Sequence, residues 1–248
     1  MNIRYFSDLH LEFINPNKIE KYLKNITPGP DDVCVCAGDI GNPYKKHYDL
    51  FMNYMNENFK KTFVIVGNHE HYNNNKTIRE TITYLTEYFL QFDNISFLNN
   101  SYEIYDNYYF IGTTLWSKIT NPMYEINDVT QIIAFNWITC NQLNIECIKF
   151  LEEIMRIADN CIIITHHMPS YSLIQDKYKT QDKLPYAQWY YSNMDKFIER
   201  NKYKIKCWLY GHTHTPYDTT IHDIPFLCNP IGYPSENKCI NFKKNIIL

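Results

Sequence analysis

Five short runs along the chain carry the side-chain types that hold divalent metals: Asp8-Leu9-His10, Gly38-Asp39, Gly67-Asn68-His69-Glu70, His166-His167 and Gly211-His212-Thr213-His214. Carboxylate, imidazole and amide oxygen in one set suit manganese, iron, zinc or nickel better than calcium. In extended backbone, residues two apart point to the same side. Asp8 and His10 can therefore grip one ion, and His212 and His214 can present two imidazoles from a single turn. A pair of ions needs a ligand that reaches both, and the two oxygens of a carboxylate make Asp39 the natural bridge. Asn68 can offer its amide oxygen. Either histidine of the 166–167 pair can complete the set; His166, first after an apolar run, is preferred as ligand, with His167 as a substrate contact. The chain has seven glycines, and Gly38, Gly67 and Gly211 each directly precede a proposed ligand. A tight turn with close backbone approach is expected at those points.

The runs stand where a sheet would place them. Asp8 follows the strand-like stretch 3–7, Asp39 follows 33–37, Asn68 follows 62–66, His166 follows 161–165, and the His212/His214 pair follows 206–210. Further strands are expected at 95–98, 102–105, 108–113, 217–221, 224–228 and 238–242. Apolar residues at three- and four-residue spacing predict helices over 46–59, 77–91, 142–158 and 187–201. Strand and helix alternate early in the chain, as βαβ units require, and their right-handed crossovers bring strand carboxyl ends to one edge. Open α/β sheets bind ligands outside that edge. The final third, rich in short strands, predicts a second and more antiparallel sheet. Together these give an α/β fold, a four-layer α/β/β/α sandwich of two mixed sheets flanked by helices. No linker or repeat divides it, so 1–248 is read as one domain.

Composition narrows the function. With 248 residues, 45% hydrophobic and 16% aromatic, the chain can bury a substantial core. A formal net charge of −3 gives no electrostatic reason to expect nucleic acid. The arginines, Arg4, Arg79, Arg156 and Arg200, do not cluster into a phosphate clamp. No apolar run approaches a membrane span, and no signal peptide is visible before the first strand, so a cytoplasmic protein without a membrane partner is expected. Eight cysteines without a Cys-x-x-Cys pair fit reduced thiols acting as small hydrophobes.

The ordered set of motifs resembles the calcineurin-like metallophosphoesterase superfamily from residue 8 to residue 214. The stretch Cys228-Asn229-Pro230-Ile231-Gly232-Tyr233-Pro234 is similar to a small cytosolic branch of it. That branch carries Arg where this chain has Ile231, so no anion contact is carried over to that position. The resemblance implies that Asp8, His10 and His214 hold a first metal, that Asp39 bridges, and that Asn68, His166 and His212 hold a second. It makes His69 the histidine that protonates the leaving alkoxide, with Glu70 orienting a neighbouring His or Asn. The implied activity is hydrolysis of a phosphate mono- or diester by in-line attack of a metal-bridging hydroxide. Two divalent ions would be needed (Mn, Fe, Zn or Ni), manganese supporting activity in vitro. A small-molecule phosphate ester or a phosphoprotein would be the substrate. Two other readings remain open: a non-catalytic scaffold of the same fold, and a DNA nuclease, for which a basic groove and an added DNA-contacting domain would be expected. Residues 114–136 and 168–186 are the expected specificity segments, and Tyr72, Trp116, Trp137, Tyr171, Tyr186 and Trp189 fall in or near loops able to wall a substrate.

Overall fold

The computed structural model describes residues 1–27, 32–122, 126–236 and 241–248. Its strands are β1 (Asn2–Phe6), β2 (Val33–Ala37), β3 (Lys61–Ile65), β4 (Ile95–Phe97), β5 (Ser101–Tyr105), β6 (Tyr108–Thr113), β7 (Cys161–Thr165), β8 (Ile205–Tyr210), β9 (Tyr217–Ile221), β10 (Ile224–Cys228) and β11 (Asn245–Ile247). Its helices are α1 (Ile19–Leu23), α2 (Lys46–Asn58), α3 (Ile78–Tyr88), α4 (Asn127–Gln131), α5 (Trp137–Ile154), α6 (Leu184–Ala187) and α7 (Asp195–Asn201).

Two mixed sheets form, ordered β11-β1-β2-β3-β4 and β5-β6-β7-β8-β10-β9. Their central strands β2, β3 and β7 are buried on both faces, which explains the apolar runs within them. The pleat sorts those runs between layers. Val33 and Val35 of β2, Ile162 and Ile164 of β7, and Cys207 and Leu209 of β8 meet between the sheets. Their neighbours Cys34 and Cys36 face the α1, α2 and α3 side, where Phe51, Met52 and Leu85 pack. On the opposite face, Ile163 and Trp208 pack against Leu151, Ile154 and Phe197 of α5 and α7. Phe63 and Phe110 stack across the central layer with centroids 3.8 Å apart. The result is the expected four-layer sandwich of two mixed sheets flanked by helices.

Several details depart from the sequence reading. The second sheet is antiparallel only at its margins; β6, β7, β8 and β10 run parallel. The strand expected over 238–242 is not formed where its residues are described: residues 238–240 lie outside the described residues. Phe242 instead turns inward against Phe6 and Tyr22, and the edge strand pairing with β1 is Asn245–Ile247. The helix expected over 187–201 breaks in two because Met168 bridges Tyr191 and accepts from the Ser192 N–H (2.8 Å). The helix expected from 142 starts at Trp137, since the Asn136 side chain caps the N–H groups of Ile138 and Thr139. The short helices α1, α4 and α6 are too brief to leave a periodic signal.

Candidate active site

The five motif loops leave the carboxyl ends of β1, β2, β3, β7 and β8 and converge where the two sheets meet. Asp8 Oδ1 lies 3.4 Å from His214 Nε2, whose ring faces His10 Nε2 at 2.8 Å. Asp39 Oδ2 lies 3.9 Å from His10 Nε2 and 3.3 Å from His166 Nε2. His166 Nε2 is 3.1 Å from Asn68 Oδ1. Ligand atoms of Asp8, His10, Asp39 and His214 lie within 4.8 Å of one another, as do those of Asp39, His166 and His212. Asp39 belongs to both groups. Nitrogen and oxygen lone pairs this close repel unless cations or protons lie between them, and the mixed donor set suits divalent transition metals. The residues therefore fit two such ions.

The backbone is bent to make this possible. Asp8, His10, Asp39, His212 and His214 all adopt left-handed backbone, with φ between 48° and 68°. Such a conformation costs about 1–2 kcal/mol for a non-glycine residue, and it persists where the surroundings impose it. Here the Asp8 and His10 N–H groups donate to the carbonyls of Gly38 and Asp39 (both 3.0 Å), and the Gly232 N–H donates to Asp8 O (2.8 Å). Gly38 has φ +85° and no room for a side chain: a Cβ would come within 2.6 Å of His166 Nδ1. At Gly67 the conformation is ordinary but the space is not, since a Cβ would lie 2.2 Å from Asp39 Oδ1.

Glu70 ties two loops together, though differently from the sequence expectation. Rather than orienting a His or Asn side chain, its fully buried carboxylate accepts backbone N–H groups. Oε2 takes those of Gly67 (2.7 Å) and Asp39 (3.1 Å), and Oε1 takes that of Ile40 (2.7 Å). Burial and the nearby Asp39 raise its pKa to about 7, with His166 and the backbone donors opposing them.

The outward nitrogens of two proposed ligand rings are held in turn. His166 Nδ1 meets Ala37 O at 2.9 Å, which turns Nε2 toward Asp39, and His214 Nδ1 meets Glu236 at 3.1 Å. His69 is not in either Asp39 group. Its N–H donates to Asp39 Oδ1 (2.8 Å), Nδ1 meets Glu12 Oε1 (3.0 Å) and Nε2 meets the Tyr233 hydroxyl (3.1 Å). Burial disfavours its charged form, but Asp39, Glu12 and Glu70 outweigh burial and raise its pKa to about 9. Burial likewise opposes charge on His166, and Asp39 overrides it, raising the pKa to about 10. His167 lies behind the ligands, buried, with Nδ1 against Ser117 Oγ (3.0 Å) and its ring 4.2 Å from that of His212. Burial holds its pKa well below the usual histidine value.

Glu12, Asp128 and Glu236 are site residues that no motif marks; Tyr233 lies in the Cys228–Pro234 stretch, which assigns it no role, and Tyr72 does more than wall the cavity. Glu12 continues the two-residue spacing of Asp8 and His10, the one local signal that points to it. Asp128 lies 60 positions from Asn68 in a stretch without any motif, and nothing local marks it.

The candidate ligands open on a cavity of about 580 Å³. Asp39, Asn68, His69, His212 and His214 form its floor; Tyr72, Asp128, Met168, Ile174, Tyr178, Lys183, Tyr186, Trp189, Tyr190 and Tyr233 contribute to its walls. Both expected specificity segments supply wall residues. Of the aromatics singled out from sequence, Tyr72, Tyr186 and Trp189 line this cavity. Trp116 lines a different one with His71, and Trp137 and Tyr171 line neither. Ile231, where the branch carries Arg, is buried in the helix-side core. No helix among the described residues is long and apolar enough to cross a membrane.

The chain is similar to known proteins. An uncharacterised protein of Acanthamoeba polyphaga mimivirus is 31% identical over 265 aligned positions, which cover 96% of this chain and 94% of that protein. The crystal structure of phosphopantetheinyl hydrolase from Mycobacterium tuberculosis superposes with a TM-score of 0.76 at 17% identity, covering 99% of this chain and 95% of that one; the likeness is one of fold. The family model of the calcineurin-like phosphoesterases matches residues 1–216, through all five motif loops, and the chain belongs to that family.

Proposed function

We propose that this chain is a dinuclear metal-dependent phosphoesterase that hydrolyses a small-molecule phosphate ester, residues 1–248 acting as one catalytic domain. The observation that carries the reading is the position of Asp39: one carboxylate oxygen faces His10 on one side and His166 on the other, at 3.9 and 3.3 Å. In this reading Asp8, His10 and His214 hold one ion, Asn68, His166 and His212 hold the other, and Asp39 serves both. When bound, two such ions activate water and neutralise charge on the phosphoryl group.

The chain's own residues do the rest. Glu70 and the left-handed loops keep the ligands in place before substrate arrives, so little reorganisation accompanies reaction. His69 lines the cavity with Nδ1 held by Glu12, which stabilises its protonated form and leaves the Nε2 proton for the departing alkoxide. Tyr233, at Nε2, fixes the ring's direction. The aromatic and aliphatic walls favour an ester with a bulky, largely apolar leaving group, and Lys183 offers a single cation to a second anionic group. The name of the structural neighbour makes phosphopantetheine derivatives the first compounds to try. The buried thiols of Cys34, Cys36, Cys140, Cys147, Cys161 and Cys207 support a reducing, cytoplasmic setting.

The test is turnover of p-nitrophenyl phosphate and bis-p-nitrophenyl phosphate with manganese and with chelator. Metal-dependent release of nitrophenol is expected, and the ratio of the two rates reports the ester class. A metal-loaded chain that hydrolyses neither, nor any phosphopantetheine derivative, would return the scaffold reading to first place.

A further inference from the structure

Asn68 raises a question of orientation that the other proposed ligands do not. An amide has one end that can bind a cation, Oδ1, and one that cannot, Nδ2, and the two ends have nearly the same shape. A ligand amide therefore needs something to hold its NH₂ group away from the metal position. Here both hydrogens are accounted for. Asn68 Nδ2 donates to Asp128 Oδ1 at 2.8 Å and to the Tyr72 hydroxyl at 2.9 Å, and that hydroxyl in turn donates to the same Asp128 oxygen. The three side chains form a closed triangle in which Asp128 is the acceptor of last resort. The amide oxygen is left facing His166 Nε2 at 3.1 Å. Asp128 comes from α4, far along the chain from every ligand motif, and only 5% of its surface is exposed. The Tyr72 ring also stacks on His69, centroids 4.1 Å apart at 28°, so the same residue touches the proposed proton donor.

We propose that Asp128, acting with the Tyr72 hydroxyl, is the positioning residue that turns the Asn68 amide oxygen toward the second metal position. The inference rests on the dinuclear reading above. Asp128→Asn keeps the size of the side chain but can present an NH₂ group where an acceptor is required, so the Asn68 amide loses its fixed direction. The consequence falls on one metal position and spares the other, because the triangle's hydrogen bonds hold Asn68, which is proposed for the second position alone.

The experiment is calorimetric titration of the metal-free chain with Mn²⁺, for the wild type and three variants. The wild type should take up two ions. Asp128→Asn should bind the first ion with unchanged affinity and the second about 10–100-fold more weakly, the usual range for loss of an outer partner of a metal ligand. Tyr72→Phe, which keeps the stack on His69 and removes one acceptor, should weaken the second ion less. The exchanged pair Asn68→Asp with Asp128→Asn should restore most of the lost affinity, since the carboxylate at 68 then accepts from the amide at 128. Recovery by exchange is not expected of a residue that merely supports folding. Two wild-type-like affinities in Asp128→Asn, or an exchanged pair no better than the single variant, would overturn the proposal while leaving the dinuclear reading intact. A wild type that binds fewer than two ions would remove both.

Discussion

The ligand loops and the wall that faces them share one cavity but are held in different ways. The loops after β1, β2 and β3 are buried, cross-linked backbone to backbone, and braced by Glu70. The wall from Met168 to Tyr190 is made of short turns whose backbone bonds are mostly local, such as Tyr178 N–H to Gln175 O and Ala187 N–H to Lys183 O (2.8 and 2.9 Å). It is tied back mainly through Gln188, whose side-chain oxygen accepts from the N–H groups of Thr120 (2.8 Å) and Asn121 (3.0 Å). Tyr178, Tyr186 and Tyr190 on it are 42–43% exposed. The contrast separates two tasks. On the proposed reading, chemistry falls on the buried, cross-linked part, and substrate choice on the part that can change with little cost to the fold.

That separation can be broken in several ways. The largest effect is expected for Asp39→Asn, which removes the shared carboxylate charge: kcat should fall by about 10⁴-fold, equivalent to several kcal/mol of lost charge stabilisation. His69→Ala should lower kcat by about 10³-fold with metal uptake unchanged, as loss of a proton donor does. Steady-state kinetics beside a metal count distinguishes the two. Glu70→Gln should cost about 3 kcal/mol in urea unfolding, because an NH₂ group then stands where an oxygen accepts the buried N–H groups of Gly67 and Asp39 or that of Ile40. If Glu70→Gln unfolds like the wild type, the loops owe their rigidity to something else.

A comparable effect is expected from pH in the metal-free chain. The folded-state pKa of His69 is raised to about 9. Its contribution to stability is therefore complete below the unfolded value of about 6.5 and is lost as pH rises through about 9, a change of about 2–3 kcal/mol. Unfolding at pH 7 and pH 10 should show the loss, and Glu12→Gln should shrink it. Smallest of all, Tyr178→Ala and Tyr186→Ala should change stability by less than about 0.5 kcal/mol while raising KM for the preferred ester by about tenfold or less. A wall variant that lowers kcat as much as His69→Ala would erase the distinction between the two regions.

Much of this architecture is legible in the amino-acid sequence. The β2 run and residues 161–164 of β7 are apolar because both their faces are buried, and the polar motifs stand out sharply beyond them. Gly38 and Gly67 stand out because they precede ligands, and the space around both excludes a side chain. What the sequence hides depends on contacts between distant segments. Asp128 has no local signal because its partner Asn68 is 60 positions away. The expected role of Glu70 differs from the observed one because backbone N–H groups carry no sequence signature. The short helix α4 and the break before α7 are set by tertiary pairings, the latter by the bridge between Met168 and Tyr191. The left-handed conformation of five proposed ligands is also unreadable, since Asp and His tolerate it without announcing it.

Whether a single carboxylate, Asp39, serves two ions at once is tested most directly by paramagnetic resonance of the manganese-loaded chain. On this account the spectrum at two equivalents shows an exchange-coupled manganese pair, and Asp39→Asn loses the coupling. A second equivalent that adds only the signal of isolated manganese, or a coupled pair that survives in Asp39→Asn, would contradict it.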